Sequence, residues 1–417
     1  MINRVLTRPE DVQTVFKDSD KHVKAVNNNA GWLMGEILGQ CVGLISGTNW
    51  RTLRSVTGAA FLRKDVTSHI PLVEVRTKQH FDSLHAYGRL DQGLINPVDD
   101  LKMLPFLILA NIIYGDLSPE MEGELLALIP LREGIFRRMI TGKLSRFSLS
   151  KYLPIQINRD LSRFKKTWST FNMAAYKRSL ADDSSAPIVQ MYSHVQSFAI
   201  SHNQLCQTLD EILFANLDVT IGGISWNLLF LGAHQDSQTD LRTEIATKRR
   251  DTLVESGQWQ KYLLDSSNLL SASMYESARL KPLAAFSVPQ ATPTDRIVGG
   301  FVVPAGTDFV IDSHSLNIRN PYWGDDNTTY RPRRFLERKI VESRYHYWRF
   351  GFGPRTCMGK YLADLVIKVV LVHLVENYRL SLVKHGKDWN RNAETWILHP
   401  DTDICCQRIL RKTPETS

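Results

Sequence analysis

The chain has 417 residues, 51 Lys and Arg against 43 Asp and Glu, and a formal net charge of +8, so it is long enough for a large core. Its five cysteines, Cys41, Cys206, Cys357, Cys405 and Cys406, are scattered, odd in number and not paired at zinc-ligand spacing, which argues against a disulfide framework or a zinc site and suits a reducing compartment. The basic residues are not gathered in a block with interleaved aromatics, which argues against nucleic-acid binding, and no signal segment, repeat or bilayer-length apolar run stands out.

In chain order, residues 2–17 read as a short strand, a turn at Pro9 and a helix, and residues 27–31 open a loop-rich region. Trp50 and Arg54 are four apart and share a face if helical, a spacing equally met by a surface arginine beside a half-buried tryptophan. From Pro97 to Ile200 the pattern is amphipathic helix, broken at Pro105, Pro119, Pro130, Pro154 and Pro187, and residues 101–113 are apolar nearly all round and hence buried. Residues 142–168 are rich in Lys and Arg with interspersed aromatics, which by itself fits a solvated helix face; only the resemblance named below implies a mobile substrate lid here. Asp210 to His234 reads as one long buried helix, within a helical stretch of about 208–240. Glu276 and Arg279 stand at i, i+3, a pair that alone is usually a surface salt bridge of little worth. Residues 297–307 and 308–312 carry strand signals.

The most informative stretch is Phe350-Gly351-Phe352-Gly353-Pro354-Arg355-Thr356-Cys357-Met358-Gly359, followed by a periodic apolar run. Gly351, Gly353 and Pro354 turn the backbone tightly, so Cys357 lies just ahead of a helix N-terminus. Free N–H groups there, the helix dipole and the charge of Arg355 all favour sulfur as an anion, which is what a metal-ligating sulfur needs.

This spacing, with Phe350, Gly353, Arg355, Cys357 and Gly359 at its fixed positions, resembles the haem-binding loop of the cytochrome P450 superfamily. The resemblance implies one mainly α domain over residues 1–417 with a small β region, and haem b ligated by Cys357. It also implies that the family's N-terminal anchor and first sheet strands precede the point where this chain starts. The full-length protein is then expected on the cytosolic face of the endoplasmic reticulum membrane, with no transmembrane segment within the present chain.

By the same resemblance, Trp50 and Arg54 point at the haem propionates, and Arg355 joins them. Gln290 lies where a further propionate-binding Arg or His often occurs. Glu276, Arg279 and Arg334 form a buried brace for the cysteine loop, with Arg333 standing where an acid is more usual. The distal helix matches at Asp218, the proton-delivering acid, and departs twice: Asn216 replaces a groove glycine and Val219 replaces an alcohol. Thr220, one residue on, is turned away by about a quarter circle or a little more. It shares a face with Asn216, and the two either hold a water or substrate group or are satisfied within a buried helix. Phe214, Val219, Phe286, Val288 and Leu398 are candidate pocket walls.

Arg319, Arg331, Arg333, Arg338, Lys339, Lys360 and Lys368 give a basic surround, either solvated surface or a docking face for a flavin reductase. The expected activity is oxidation of a small hydrophobic molecule in fungal-type natural-product biosynthesis, with dioxygen and electrons from NADPH through NADPH–cytochrome P450 reductase. Two rivals remain open. One is an electron-independent isomerase, peroxygenase or ring-forming enzyme, suggested by Val219; the other is a non-catalytic haem-binding relative.

Overall fold

The computed structural model describes residues 3–24, 31–338, 342–383 and 397–409. The sequence begins with strand β1 (Asn3–Leu6) and the helix Pro9–Phe16, in the order read from the sequence. The apolar run predicted at 101–113 becomes the helix Met103–Tyr114, nearly all of it buried. It packs on Ile70–Tyr87 and on the central helix Leu217–Ala233, which also meets Leu269–Leu280 and Lys360–Asn377. Helices that are apolar on every side belong in the middle of such a bundle, because no face gains from contact with water.

The strands form three small sheets. β1 runs parallel to β7 (Asp308–Ile311), which pairs with β4 (Gln290–Ala291), which pairs with β2 (Val23–Lys24). The register of the last pair sets Lys24 directly opposite Gln290. β3 (Leu94–Ile95), β9 (Ile404–Arg408) and β8 (Tyr378–Leu382) make a second sheet, and β5 (Arg296–Val298) with β6 (Phe301–Val303) a hairpin.

Three readings of the sequence change. Pro130 does not break a helix: Pro119–Thr141 runs through it, because a proline removes one donor while the turns on either side stay anchored by buried Leu125, Leu128, Ile129 and Arg132. The long helix expected over about 208–240 is three helices, His202–Leu213, Leu217–Ala233 and Gln235–Val254. The first break is made by Asn216, whose Nδ2 donates to the carbonyls of Glu211 (3.0 Å) and Ile212 (3.1 Å) and so satisfies acceptors that the ending helix leaves open. Finally, His202–Ala233 is long and apolar enough by composition to cross a membrane, but 67% of its apolar window is buried inside the protein, as expected of a core helix.

Candidate active site around Cys357

The cysteine loop is shaped by its glycines and closed by its backbone. Gly351 and Gly353 hold φ of 83° and 68°, a short 3-10 turn follows over Gly353–Arg355, and the Cys357 N–H donates to the Phe350 carbonyl at 2.8 Å. A Cβ on Gly353 would lie 2.2 Å from the Phe16 carbonyl oxygen, so the helix Pro9–Phe16 presses directly on the loop. Ser19 completes this contact: its hydroxyl donates to the Phe352 carbonyl (3.2 Å) and accepts from the Arg355 N–H (3.3 Å). Gly353→Ala is therefore expected to cost about 1–3 kcal/mol from its φ alone, before the clash with Phe16 is counted. A lower urea midpoint together with reduced haem content checks this; an unchanged midpoint refutes it.

Cys357 is exposed to solvent as a residue, although protein surrounds its thiol on most sides. Burial raises its pKa, opposed by the Gly359 N–H and by the positive charge of Arg54. The protein by itself thus disfavours the thiolate that the sequence suggested, and a metal ion bound at Cys357 would supply the missing positive charge. Arg54, not Arg355 as the sequence suggested, supplies the nearby charge, because the Arg54 guanidinium donates to the Thr356 carbonyl at 2.7 Å. Arg355 turns away, donating to the carbonyls of Ile45 (2.5 Å) and His22 (3.4 Å) and lying 4.6 Å over the ring of buried Trp50.

Arg54 and Arg355 are joined by a residue that the sequence reading missed, Lys24. Among the described residues none of the three is in an ion pair with a carboxylate. Burial depresses all three pKa values, Arg355 to about 10 with help from Arg54 and Lys24 to about 8 with help from Arg355. Three enclosed cations with no carboxylate in ion-pair contact, offset in part by the charge of Glu211, suit an anion site. Gln290 lies opposite Lys24, and its buried Oε1, which can only accept, has no hydrogen-bond partner. No sequence signal announced Lys24; only the strand register brings it here. The residues fit a haem: an exposed Cys357, a Gly359 whose Cβ would approach only the Cys357 sulfur, at 4.0 Å, and cations suited to two carboxylates.

Glu276, Arg279 and Arg334 are all fully buried, as the sequence led one to expect. Arg279 grips Glu276 with two bonds of 2.8 Å, and Arg334 reaches the same carboxylate at 3.3 Å. The link to the loop passes through Asn317, which the sequence gave no reason to single out. Arg279 Nη1 donates to the Asn317 carbonyl (3.0 Å), and the Asn317 side chain exchanges two hydrogen bonds with the backbone of Trp348 (2.8 and 2.7 Å), two residues before Phe350. Arg333, where an acid was expected, instead pairs with Asp240 at the surface (2.8 Å).

On the distal side, Asp218 pairs with Lys102 (3.2 Å), which in turn pairs with Glu133 (2.5 Å). Burial acts to lower the Lys102 pKa, but the two carboxylates outweigh it and raise the value. His399 Nε2 lies 2.7 Å from the Asp218 carbonyl, which can only accept, so the imidazole donates there. Val219 and Thr220 are half-buried. Asn216 and Thr220 do not form a free polar pair, because the Asn216 amide is spent on closing the preceding helix.

The expected pocket walls separate. Phe214 is buried in an aromatic cluster with Phe106, Phe164 and Trp168, and Phe286 and Val288 are 55% and 42% exposed. Leu398 is fixed by its backbone, which donates to Leu283 O (3.3 Å) and accepts from Trp226 Nε1 (2.6 Å). Leu283, Ile397 and His399 fit against Gly222, where a Cβ would come within 2.9–3.2 Å of them.

The basic surround is thinner than expected. Lys368 is buried, donating to the carbonyls of Leu263 and Asp265, Arg331 is held by Asp326 and Glu337, and Arg338 donates to the Tyr322 carbonyl. Lys339, like residues 27–30 of the early loop, lies outside the described residues. Arg319 remains exposed and Lys360 half-buried.

A family model for cytochrome P450 matches residues 3–406. Among curated proteins the chain is 52% identical over 406 residues to the cytochrome P450 monooxygenase aclC of Aspergillus oryzae, covering 96% of this chain and 82% of that one. It is 44% identical to asaD of Aspergillus flavus (97% and 77% covered) and 43% identical to roqR of Penicillium rubens (94% and 79% covered), both cytochrome P450 monooxygenases. A solved structure, that of CalO2, superposes with a TM-score of 0.73 at 18% identity over 97% of this chain and 90% of its own, which concerns the fold alone. Likeness of this depth along almost the whole sequence makes the chain a member of the cytochrome P450 family, a monooxygenase that carries haem iron and draws electrons from a reductase partner.

Proposed function

We propose that the chain is one haem-thiolate domain that binds haem b through Cys357 and oxidises a small hydrophobic molecule in natural-product biosynthesis. The observation that carries the reading is the exposed Cys357 near three enclosed cations that, among the described residues, have no carboxylate in ion-pair contact. Arg54, Arg355 and Lys24 hold the two propionates, Trp50 backs Arg355, and Phe350, Gly353 and Gly359 shape the loop. When bound, the iron supplies activation of dioxygen with two electrons.

The chain's own residues position and protonate. Asp218 stands at the start of the distal helix with Lys102 and surface-exposed Glu133 behind it, a charged line along which protons reach the cleft from outside. Val219 offers no hydroxyl to pass them on. Val219→Thr is accordingly expected to lower the hydrogen peroxide released per NADPH consumed, on the order of tenfold at most. Peroxide and NADPH assays on both proteins check this, and an unchanged ratio counts against it.

The exposed apolar residues Leu144, Phe147, Leu149 and Tyr152, beside Arg146 and Lys151, support the lid reading over a merely solvated face and suit contact with a membrane surface. We place the protein at the cytosolic face of the endoplasmic reticulum, with NADPH–cytochrome P450 reductase as its partner. Product formation with and without reductase and NADPH tests the function. Turnover that needs neither favours the isomerase or peroxygenase reading, and ligand binding without turnover favours a non-catalytic relative.

A further inference from the structure

The turn of the distal helix that carries Asp218 has little to fix it from within. Asn216 precedes that helix without capping it, its amide being turned back on Glu211 and Ile212, and the N–H groups of Val219 and Thr220 share the one Asn216 carbonyl (3.1 and 3.2 Å). Support comes from the other end of the chain. Asp218, Gly222 and Trp226 stand four apart and so form one stripe of the helix, and residues 397–399 lie along it. Trp226 Nε1 donates to the Leu398 carbonyl at 2.6 Å, Gly222 has no side chain to hold Ile397 and His399 away, and His399 Nε2 donates to the Asp218 carbonyl at 2.7 Å.

Neither packing nor hydrogen-bond satisfaction accounts for an imidazole at position 399. The residue is only 4% exposed and sits with Leu283 and Ile397 around Gly222, where an apolar side chain would fill the space without desolvating a polar group. The Asp218 carbonyl, inside an α-helix, is already served by the N–H four residues on. What the extra bond adds is position. The Asp218 carboxylate meets Lys102 at 3.2 Å, so one partner holds the residue by its side chain and the other by its backbone.

We propose that His399 is a positioning residue for proton delivery, clamping the opening turn of the distal helix so that the Asp218 carboxylate stays on the line through Lys102 to Glu133. The proposal rests on the reading of Asp218 as the proton-delivering acid of a haem-thiolate enzyme.

The test compares the haem-loaded full chain with its His399→Phe, His399→Gln and Asp218→Asn variants. Amide hydrogen exchange, followed by mass spectrometry, is expected to quicken about three- to tenfold over residues 216–222 in His399→Phe. Exchange over 223–233 stays as in the wild type, and His399→Gln, whose amide donates at a similar reach, keeps exchange slow. The second readout uses NADPH and reductase without added substrate. Dioxygen then leaves either as hydrogen peroxide, with two electrons and two protons, or as two waters, with four of each, and the extra protons of the second course enter while the O–O bond breaks. Peroxide released per NADPH is therefore expected to rise in His399→Phe and in Asp218→Asn and to stay near the wild-type value in His399→Gln.

Unchanged exchange over 216–222 in His399→Phe, equal quickening along 223–233, a His399→Gln protein that behaves as His399→Phe does, or a His399→Phe protein that takes up no haem overturns the proposal. So does a peroxide ratio that Asp218→Asn raises and His399→Phe does not. An Asp218→Asn protein with the wild-type ratio instead removes the acid reading, and the proposal with it. The reduced, carbon monoxide-bound spectrum of the same sample reports on the haem-thiolate reading separately.

Discussion

Cys357→Ser is expected to lose the strongly red-shifted Soret band of the reduced, carbon monoxide-bound protein and to lower activity by more than about a hundredfold. The physical reason lies in the loop. A serine hydroxyl keeps its proton under conditions where a coordinated thiol gives it up, and its harder oxygen cannot donate charge to iron as sulfur does. The fold should tolerate the exchange, because the Cys357 backbone N–H still donates to the Phe350 carbonyl and Cys357 is an exposed residue, not one of the core. The variant is thus expected to unfold at nearly the wild-type urea concentration. Retention of the same band in the serine protein would remove the assignment of the ligand and, with it, the reading of the cleft.

Replacing Arg279 by Leu is the second large effect, expected to destabilise the protein by about 3–5 kcal/mol, because it leaves Glu276 charged and enclosed. The damage should reach the haem site by a route that can be followed. Arg279 also holds the Asn317 carbonyl, and Asn317 holds Trp348 on the approach to the cysteine loop. Arg279→Lys should recover little, since an ammonium has no planar fork with which to bind both carboxylate oxygens and two carbonyls at once. Urea unfolding and haem content are the measurements. Arg333→Ala serves as the control, because its pair with Asp240 is exposed and worth little. If Arg279→Leu unfolded no more easily than Arg333→Ala, the brace would have no role in holding the loop.

The two predictions differ in how much of their basis the sequence showed. Five fixed positions within ten residues identified the loop, and Glu276, Arg279 and Arg334 came in the expected order ahead of it. Asn317 could not be found that way, since its part depends on a carbonyl and on two backbone contacts of Trp348, which any residue type supplies. Likewise the sequence marked Asn216 only as a departure from the family's pattern. That the residue closes one helix before the next begins was visible only when its amide met the carbonyls of Glu211 and Ile212.

Taken alone, the sequence determined the family, the buried Glu276, Arg279 and Arg334 and the mainly helical class, because these rest on local chemistry: a turn that needs glycine, a cysteine ahead of a helix, apolar runs at helical period. The tertiary structure decided which charges meet. Lys24 joined Arg54 and Arg355 because β2 pairs with β4 in one register, and Lys368 left the surface because carbonyls of a distant turn take its ammonium. Electrostatic partners are set by distance through space, and residues far apart in the chain carry no record of that distance until the backbone has folded.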